Sequence, residues 1–193
     1  MKILAINGSA RKKGNTHDML VAALAPLEAV GHECEMVSLA AEDVRGCTAC
    51  GKCKEKRDRA CHGRKDFIAE IMGKVWEADV LFLGSPTYFG DVSTEMKAFI
   101  DRIGYVAMAN GGLLRRKVGA AVVTARRGGA IHTFDTINHL FTISEMVTVG
   151  SSYWNVGLGA PIGAVKENDE EGMETMRKLG ENTAWLLEKL GRV

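Results

Sequence analysis

Four of the five cysteines in this chain of 193 residues lie within one short polar stretch. They are Cys47, Cys50, Cys53 and Cys61, in the pattern Cys-x2-Cys-x2-Cys-x7-Cys. Thiolates two residues apart in a loop converge readily on one metal centre, and a fourth sulfur from a short detour completes four ligands. The spacing makes these cysteines the candidate metal ligands. We call residues 45–65 the cysteine segment.

Spacing alone leaves three uses of these thiols open. The first three cysteines match the start of bacterial ferredoxin sites, which bind iron–sulfur clusters, but Cys61 does not follow at the x3 position and no proline succeeds it. Zinc also accepts four cysteines, although zinc sites more often use two separated Cys pairs. The third interpretation is that the four cysteines are simple reactive or structural thiols. His62 is an alternative ligand to Cys61, and Cys34 is predicted to lie in the core.

The cysteine segment is strongly basic. It contains eight Lys and Arg residues but only two acidic ones, Glu55 and Asp58, which leaves a local charge of +6. Cations around an iron–sulfur centre held by four thiolates would stabilise the reduced form of that centre. The alternative is an ordinary solvated face.

A second candidate site is the turn at residues 8–16, Gly-Ser-Ala-Arg-Lys-Lys-Gly-Asn-Thr, between an apolar run and a helical pattern. A strand that leads through such a turn into a helix presents free N–H groups to an anion. Basic residues including Arg11 add positive charge, and Ser9, Asn15 and Thr16 offer hydrogen bonds to phosphate oxygens. No Lys follows Gly14 and G-x-G-x-x-G is absent, so the turn predicts a monophosphate site rather than a Walker A or dinucleotide site. The alternative is a plain turn capped by Asn15 or Thr16.

Residues 85–90, Ser-Pro-Thr-Tyr-Phe-Gly, follow another apolar run. Pro86 and Thr87 begin a turn, while Tyr88, Phe89 and Gly90 offer stacking area beside closely approaching backbone. This combination suits a flat heterocycle. The alternative is that the two aromatic side chains belong to the core.

The third loop, residues 124–129, lies between a buried strand and a helix and reads Thr124-Ala125-Arg126-Arg127-Gly128-Gly129. Its glycines free N–H groups, and its arginines favour a reduced, anionic ligand or the phosphate of a nicotinamide cofactor. A solvated surface loop is the alternative.

Apolar runs alternate with amphipathic stretches along the chain, which predicts a three-layer, doubly wound α/β fold. The five parallel strands are expected in the flavodoxin-like order 2-1-3-4-5, and ligands bind beyond their carboxyl ends, where the three loops would meet. Predicted strands cover residues 2–7, 33–39, 80–84, 118–124 and 146–149. Predicted helices cover residues 16–30, 66–78, 94–102, 130–141 and 169–190, and Asp66 is expected to cap the second helix.

Composition predicts one globular domain over residues 1–193. Hydrophobic residues make up 46% of the chain, enough for a packed core, and the net charge of +1 argues against a dedicated nucleic-acid binder. No apolar run approaches the ~20 residues of a membrane span, and the beginning of the sequence does not resemble a signal peptide. We expect a cytoplasmic protein, since clustered cysteines suit metal binding in a reducing compartment.

Two of the loops resemble those of the NADPH-dependent FMN reductase-like branch of the flavodoxin superfamily. They are Gly8-Ser9-Ala10-Arg11 through Gly14-Asn15-Thr16, and Gly84-Ser85-Pro86-Thr87-Tyr88-Phe89-Gly90. The similarity continues to the Ser151-Ser152-Tyr153-Trp154-Asn155 turn and the Asp169-Glu170-Glu171-Gly172 helix start. It implies that Ser9, Arg11, Asn15 and Thr16 hold the FMN phosphate, and that residues 86–90 and 124–129 contact the isoalloxazine ring.

The cysteine segment resembles that of the iron–sulfur flavoproteins of the same family, which carry a [4Fe–4S] cluster in the loop after strand 2. Its predicted position between strand 2 and helix 2 agrees. The Lys- and Arg-rich residues 54–59 depart from the tighter loops common in the family, which makes Cys61 the least secure ligand. The resemblance also implies a homodimer or homotetramer in which one subunit's cluster loop lies near another subunit's flavin.

The sequence therefore predicts an FMN-dependent oxidoreductase with a [4Fe–4S] cluster. Its donor would be ferredoxin or NAD(P)H, and its acceptor a small molecule or a carrier protein. No catalytic acid or base is assigned, because the cofactors carry the redox chemistry. One alternative is an NAD(P)H-dependent FMN or quinone reductase without a cluster. Another is a non-enzymatic redox-sensing FMN-binding module.

Overall fold

The structure is a computed structural model that describes residues 1–191. Its strands are β1 (Lys2–Asn7), β2 (Glu33–Ser38), β3 (Val80–Pro86), β4 (Val118–Ala125), β5 (Val147–Thr148) and β6 (Val156–Leu158). Its helices are α1 (Asn15–Ala29), α2 (Lys52–Lys56), α3 (Phe67–Glu77), α4 (Thr94–Ala109), α5 (Ala130–Ile143), α6 (Ala164–Asn168) and α7 (Glu170–Lys189).

The strands form one parallel sheet in the order β2-β1-β3-β4-β5, which confirms the predicted topology. The predicted fifth strand forms as β5, and the structure has a sixth strand, β6, that was not predicted. β5 pairs with the start of β4 at Val118 and Gly119, and β6 pairs with its end at Val123 through Ala125. Since β6 has three residues and depends on this long-range pairing, local periodicity does not reveal it.

Helices cover both faces of the sheet, as the continuous apolar strands require. Side chains alternate along each strand, so Ile3 and Ala5 pack on the face covered by α1 and α7. Leu4 and Ile6 pack on the opposite face, against α3, α4 and α5. The carboxyl ends of β1, β3 and β4 are thereby held at one edge of a rigid core.

The predicted helices form, with changes at their ends. α3 begins after Asp66, whose Oδ1 accepts a hydrogen bond from Ala69 N at 3.2 Å, as expected of an N-cap. α4 continues seven residues beyond the predicted end at 102, because Ile103, Val106 and Ala107 maintain its buried face. The short helices α2 and α6 were not predicted. Among the described residues, no helix is long and apolar enough to cross a bilayer.

Candidate functional site

The turn after β1 is shaped by Asn7, a fully buried side chain that sequence reasoning did not single out. Its Oδ1 accepts a hydrogen bond from Ser9 N at 3.1 Å, and its Nδ2 donates to Lys12 O at 3.3 Å. Ser9 Oγ in turn accepts from Arg11 N at 3.1 Å. A polar residue at the last position of an apolar strand was the available signal for Asn7.

Gly14, rather than Asn15 or Thr16, occupies the N-cap position of α1, and no side chain caps the helix. The first N–H groups of a helix have no partner within the helix. The start of α1 is therefore open to an anion, with Ser9 and Arg11 beside it.

The three predicted loops converge on one cleft of about 260 Å³. Thr87 N donates a hydrogen bond to Thr124 O at 2.7 Å, and the hydroxyls of Thr16 and Thr124 lie 2.9 Å apart, so the loops are bonded to one another. The predicted residues that line the cleft are Ser9, Arg11, Gly14, Asn15, Thr16, Pro86, Thr87, Tyr88, Thr124, Ala125 and Arg126.

Gly159 and Ala160 also line this cleft, and sequence reasoning missed them. They are held there by Asn15, whose Nδ2 donates to Gly159 O at 3.0 Å and Pro161 O at 2.9 Å. Asn15 Oδ1 accepts from Val165 N at 3.4 Å, so both ends of its amide are engaged. The turn-forming residues Gly159 and Pro161 were the available sequence signal.

The remaining predicted cofactor residues, Phe89, Gly90, Gly128 and Gly129, do not line the cleft. Tyr88 and Asp91 exchange backbone hydrogen bonds around a tight turn in which Phe89 (φ 50°) and Gly90 (φ 84°) both have positive φ. At the tip of this turn Phe89 is fully exposed, and Tyr88 is 43% exposed. Neither is therefore a core residue. Gly129 begins α5 against this turn, since a Cβ there would lie 3.2 Å from Gly90 Cα. Gly129 also lies beside Thr87, which does line the cleft.

The cysteine segment encloses a separate cavity of about 430 Å³, and Cys47, Cys50, Cys53 and Cys61 all line it. Helix α4 supplies the opposite wall through residues that include Arg102, Tyr105 and Met108. The segment folds tightly around this space: a Cβ on Gly63 would lie 2.9 Å from Cys50 Sγ. Within residues 1–191, no three Cys, His, Asp or Glu side chains are close enough together to bind one metal ion. The donor set and the volume of the cavity nevertheless fit a group larger than a single ion.

The thiols differ in chemistry according to their surroundings. Hydrogen bonds from the Lys52 backbone and the Thr48 side chain lower the pKa of exposed Cys50. Burial raises the pKa of Cys34 to about 11, so that thiol stays protonated at neutral pH. Cys34 is half-buried in β2 rather than fully buried, and it lies outside the cavity. His62 lines the cavity, but its Nε2 lies 2.8 Å from Asp58 Oδ2.

The backbone of the cysteine segment is strained at three non-glycine positions. Ala49, Arg57 and Arg59 have φ values of 52°, 49° and 65°. Each such conformation costs roughly 1–2 kcal/mol and persists only where the surroundings hold it. Arg59 is held on both sides, because its N–H donates to Asn110 Oδ1 and its carbonyl accepts from Trp76 Nε1, each at 2.9 Å.

The two ends of the segment meet at a buried ion pair between Arg102 on α4 and Asp66, with side-chain exposures of 0% and 1%. Arg102 Nη1 donates to Asp66 Oδ2 and, at 3.2 Å, to Arg45 O. Asp66 Oδ2 also accepts from Arg45 N at 3.2 Å. Burial raises the pKa of Asp66, but hydrogen bonds from Arg102, Ala69 N and Arg45 N outweigh it and hold that pKa below its ordinary value.

The sheet order and the cleft at the carboxyl ends of β1, β3 and β4 define a flavodoxin-like α/β protein. A solved structure of a WrbA-like flavodoxin from Agrobacterium tumefaciens superposes with a TM-score of 0.69 at 17% identity, covering 97% of each chain. The family model described as NADPH-dependent FMN reductase matches residues 1–161, and the chain belongs to this family. It is a flavin-dependent oxidoreductase, and its flavin is FMN.

Relatives named iron–sulfur flavoproteins cover nearly the whole chain. One from Methanocaldococcus jannaschii is 39% identical over 191 residues, which is 95% of this chain and 96% of the relative. Another from Methanosarcina thermophila is 33% identical over 190 residues, which is 97% of this chain and 96% of the relative. The resemblance predicted from the loop and cysteine motifs is confirmed.

Proposed function

We propose that this oxidoreductase carries a [4Fe–4S] cluster held by Cys47, Cys50, Cys53 and Cys61, and passes electrons between a donor and a small acceptor. The observation that carries the proposal is the cavity of about 430 Å³ lined by all four thiols. The names of the similar iron–sulfur flavoproteins support it. So does the local charge of +6, which would offset the negative charge of a thiolate-bound cluster.

The FMN phosphate, in this proposal, binds Ser9, Arg11, Thr16 and the open N-terminus of α1. Asn15 contributes by holding Gly159 and Ala160 against the cleft. The isoalloxazine ring contacts the main chain and side chains of residues 86–88 and 124–126. Phe89, Gly90, Gly128 and Gly129 form the rim around it. The cleft is smaller than pockets that enclose a whole ligand, so a molecule of this size stays partly exposed.

When bound, the flavin exchanges one or two electrons and the cluster exchanges one. Together they allow conversion between one-electron and two-electron transfer. The residues of the chain bind and orient these two cofactors. Among the described residues that line the cleft, none is Asp, Glu or His. We therefore assign no side chain there as a general acid or base. Arg11 and Arg126 place positive charge beside the cleft, which favours an anionic, reduced ligand.

The donor is proposed to be ferredoxin or NAD(P)H. The working form is proposed to be a homodimer or homotetramer that brings one subunit's cysteine cavity near another's FMN cleft. The five free thiols of residues 1–191 suit a reducing cytoplasm. Turnover with each donor in turn and sedimentation of the FMN-loaded protein test these points, and a monomer at working concentration would contradict the intersubunit arrangement.

The second candidate function is an NAD(P)H-dependent FMN or quinone reductase whose cysteines are empty or bind zinc. The form with empty cysteines is favoured by the observation that no three potential ligands among residues 1–191 are grouped tightly around one point. Both candidates share the FMN cleft, so only the metal content separates them.

The deciding experiment is anaerobic purification followed by assays of FMN, iron, acid-labile sulfide and zinc. Four iron and four sulfide per chain are expected for a [4Fe–4S] cluster. Cys47→Ser, Cys50→Ser, Cys53→Ser and Cys61→Ser should each lose iron and retain FMN. Cys34→Ser is the matched control and should retain both. Protein with FMN but no iron would refute the cluster, and bound zinc would favour the second candidate.

A further inference from the structure

Arg102 occupies an unusual position for an arginine in the middle of a helix. Its side chain is fully buried, and it lines the cysteine cavity from α4 rather than from the cysteine segment. Through Nη1 it donates to Arg45 O, at the first residue of that segment, and to Asp66 Oδ2, directly after its last residue. A residue of the rigid core thus fixes where the segment leaves and re-enters the fold.

The rest of the guanidinium has no hydrogen-bond partner. Among the described residues, neither Nε nor Nη2 of Arg102 meets an acceptor, although both atoms are shielded from solvent. Buried donors without partners are rare and require an explanation. Burial lowers the pKa of Arg102, but its interactions with Asp66 and with the nearby Cys61 thiol raise it above the ordinary value. Cys61 lines the same cavity as Arg102, so its sulfur is an available acceptor for the two unpaired donors.

We propose that Arg102 is a positioning residue for the metal centre, whose Nε–H and Nη2–H donate to the Cys61 thiolate when that sulfur is a ligand. The inference rests on the cluster of the proposed function. It also gives Cys61, which follows the long Lys- and Arg-rich stretch, a fixed partner on α4. Charge-assisted hydrogen bonds to a ligand sulfur favour the reduced cluster and hold the ligand in place.

Arg102→Lys is the discriminating variant, because an ammonium keeps the charge opposite Asp66 but cannot reach both Asp66 and Cys61 with a planar fork. We expect unchanged FMN content in anaerobically purified protein. Iron loss to a chelator should be about tenfold faster. The ratio of reduced to oxidised cluster at a fixed potential should fall about tenfold, which is 59 mV for a one-electron couple. Arg115→Lys, at an exposed arginine that pairs with Glu145 outside the cavity, is the control and should match wild type.

A second measurement needs no variant of Arg102. Pulsed electron paramagnetic resonance of the reduced wild-type protein, grown with ¹⁵N-labelled arginine, should detect a guanidinium nitrogen coupled to the cluster. Arg64 also lines the cavity with an unpartnered Nε, so the coupling should persist in Arg64→Lys. Loss of the coupling in Arg64→Lys, or its absence in wild type, overturns the inference.

The failures of the two proposals are distinguishable. Wild-type protein that binds FMN without iron refutes the proposed function, and the inference with it. Wild-type protein with a complete cluster whose potential and iron retention are unaltered by Arg102→Lys refutes the role of Arg102 alone. If Arg102→Lys does not fold, the arginine coupling in the wild-type protein decides.

Discussion

Asn15 shapes the cleft between the three loops through a neighbouring piece of chain. Its amide is fully occupied by the backbone of residues 159, 161 and 165, and two residues of that stretch line the cleft. A side chain in this position controls the shape of a binding site through the backbone that it holds. The hydrogen bonds that shape the turn at residues 8–16 are made by Asn7 and Ser9 rather than by Asn15.

Asn15→Ala should weaken FMN binding about tenfold, since hydrogen bonds of this kind contribute about 0.5–1.5 kcal/mol each. Flavin fluorescence titration of the apoprotein measures the dissociation constant. Asn182→Ala removes a similar amide tether, to Gly150 O at 3.0 Å, away from the cleft. It should leave FMN affinity unchanged, and equal weakening by both variants would contradict the role of Asn15.

Asp66 should make stability depend on acid pH. Its folded pKa is held below the ordinary 3.8, so the stability contributed by its ionised form is complete above that value and is lost as pH falls through the folded pKa. Asp66→Asn should cost about 3–5 kcal/mol near neutral pH, because it leaves buried Arg102 unpaired. In urea unfolding between pH 6 and 2, the gap between wild type and Asp66→Asn should stay constant above pH 3.8 and narrow below it.

Asp43→Asn is the control for that experiment. Asp43 pairs with Arg45 Nε at 2.8 Å, but both side chains are 59% exposed. Such surface pairs contribute about 0–1 kcal/mol. A gap between wild type and Asp66→Asn that stays constant down to pH 2 would show that the charge of Asp66 is not what stabilises the fold.

Helix α4 connects the two candidate centres. Ser93 Oγ caps the first turn of α4 by accepting a hydrogen bond from Met96 N at 3.1 Å. The same hydroxyl donates to Gly8 O at 2.5 Å, at the start of the turn at residues 8–16. Arg102 and Tyr105 on the same helix line the cysteine cavity. At 1.5 Å per residue, α4 separates these points by about 14–18 Å. The spacing of the two sites within one chain is thus set by a rigid element.

Two helical glycines provide a test of helix packing. A Cβ on Gly180 of α7 would lie 2.3 Å from Ala23 O of α1, whereas a Cβ on Gly73 of α3 would meet no heavy atom within 4 Å. Gly180→Ala should destabilise the protein by about 1–3 kcal/mol through overpacking. Gly73→Ala should stabilise it by up to about 1 kcal/mol through helix propensity. Thermal or urea unfolding measures both, and a stabilised Gly180→Ala would contradict the close α1–α7 contact.

The elements that local patterns determine were predictable, and the side-chain roles that depend on distant backbone were not. Continuous apolar runs revealed β1, β3 and β4, and alternating apolar and polar residues revealed β2. The turn residues after β1, β3 and β4 revealed the cleft. Arg102 could not be recognised, because its burial depends on Asp66 and Arg45, which are 36 and 57 residues away. The engagement of Asn15 likewise requires a carbonyl 144 residues further along the chain.

The charge of the whole molecule is unevenly distributed. The chain has a net charge of +1 and the cysteine segment +6, so the remaining residues together carry −5. Lys52, Lys54 and Lys56 of the segment are exposed. A protein with one basic end orients an acidic partner towards that end before contact.

Reduction by an acidic one-electron carrier protein should therefore slow about tenfold or more from low to physiological ionic strength. Stopped-flow measurement of flavin reduction tests this. Lys52→Gln with Lys56→Gln should lower the low-salt rate. Lys178→Gln with Lys189→Gln removes the same charge from α7 and should have little effect. A rate that does not depend on salt would contradict electrostatic steering at the cysteine segment.

The cysteine segment can be lengthened at little cost in stability, because its two ends are joined at its base. Because Arg45, Asp66 and Arg102 already join its ends, doubling the loop between them costs only about 0.6 kcal/mol. A Gly-Ser pair inserted between Arg57 and Asp58 should lower the free energy of unfolding by less than about 1 kcal/mol, and a larger loss in urea unfolding would contradict this. The distance in sequence between the third and fourth cysteines is consequently free to drift during evolution without disturbing the sheet.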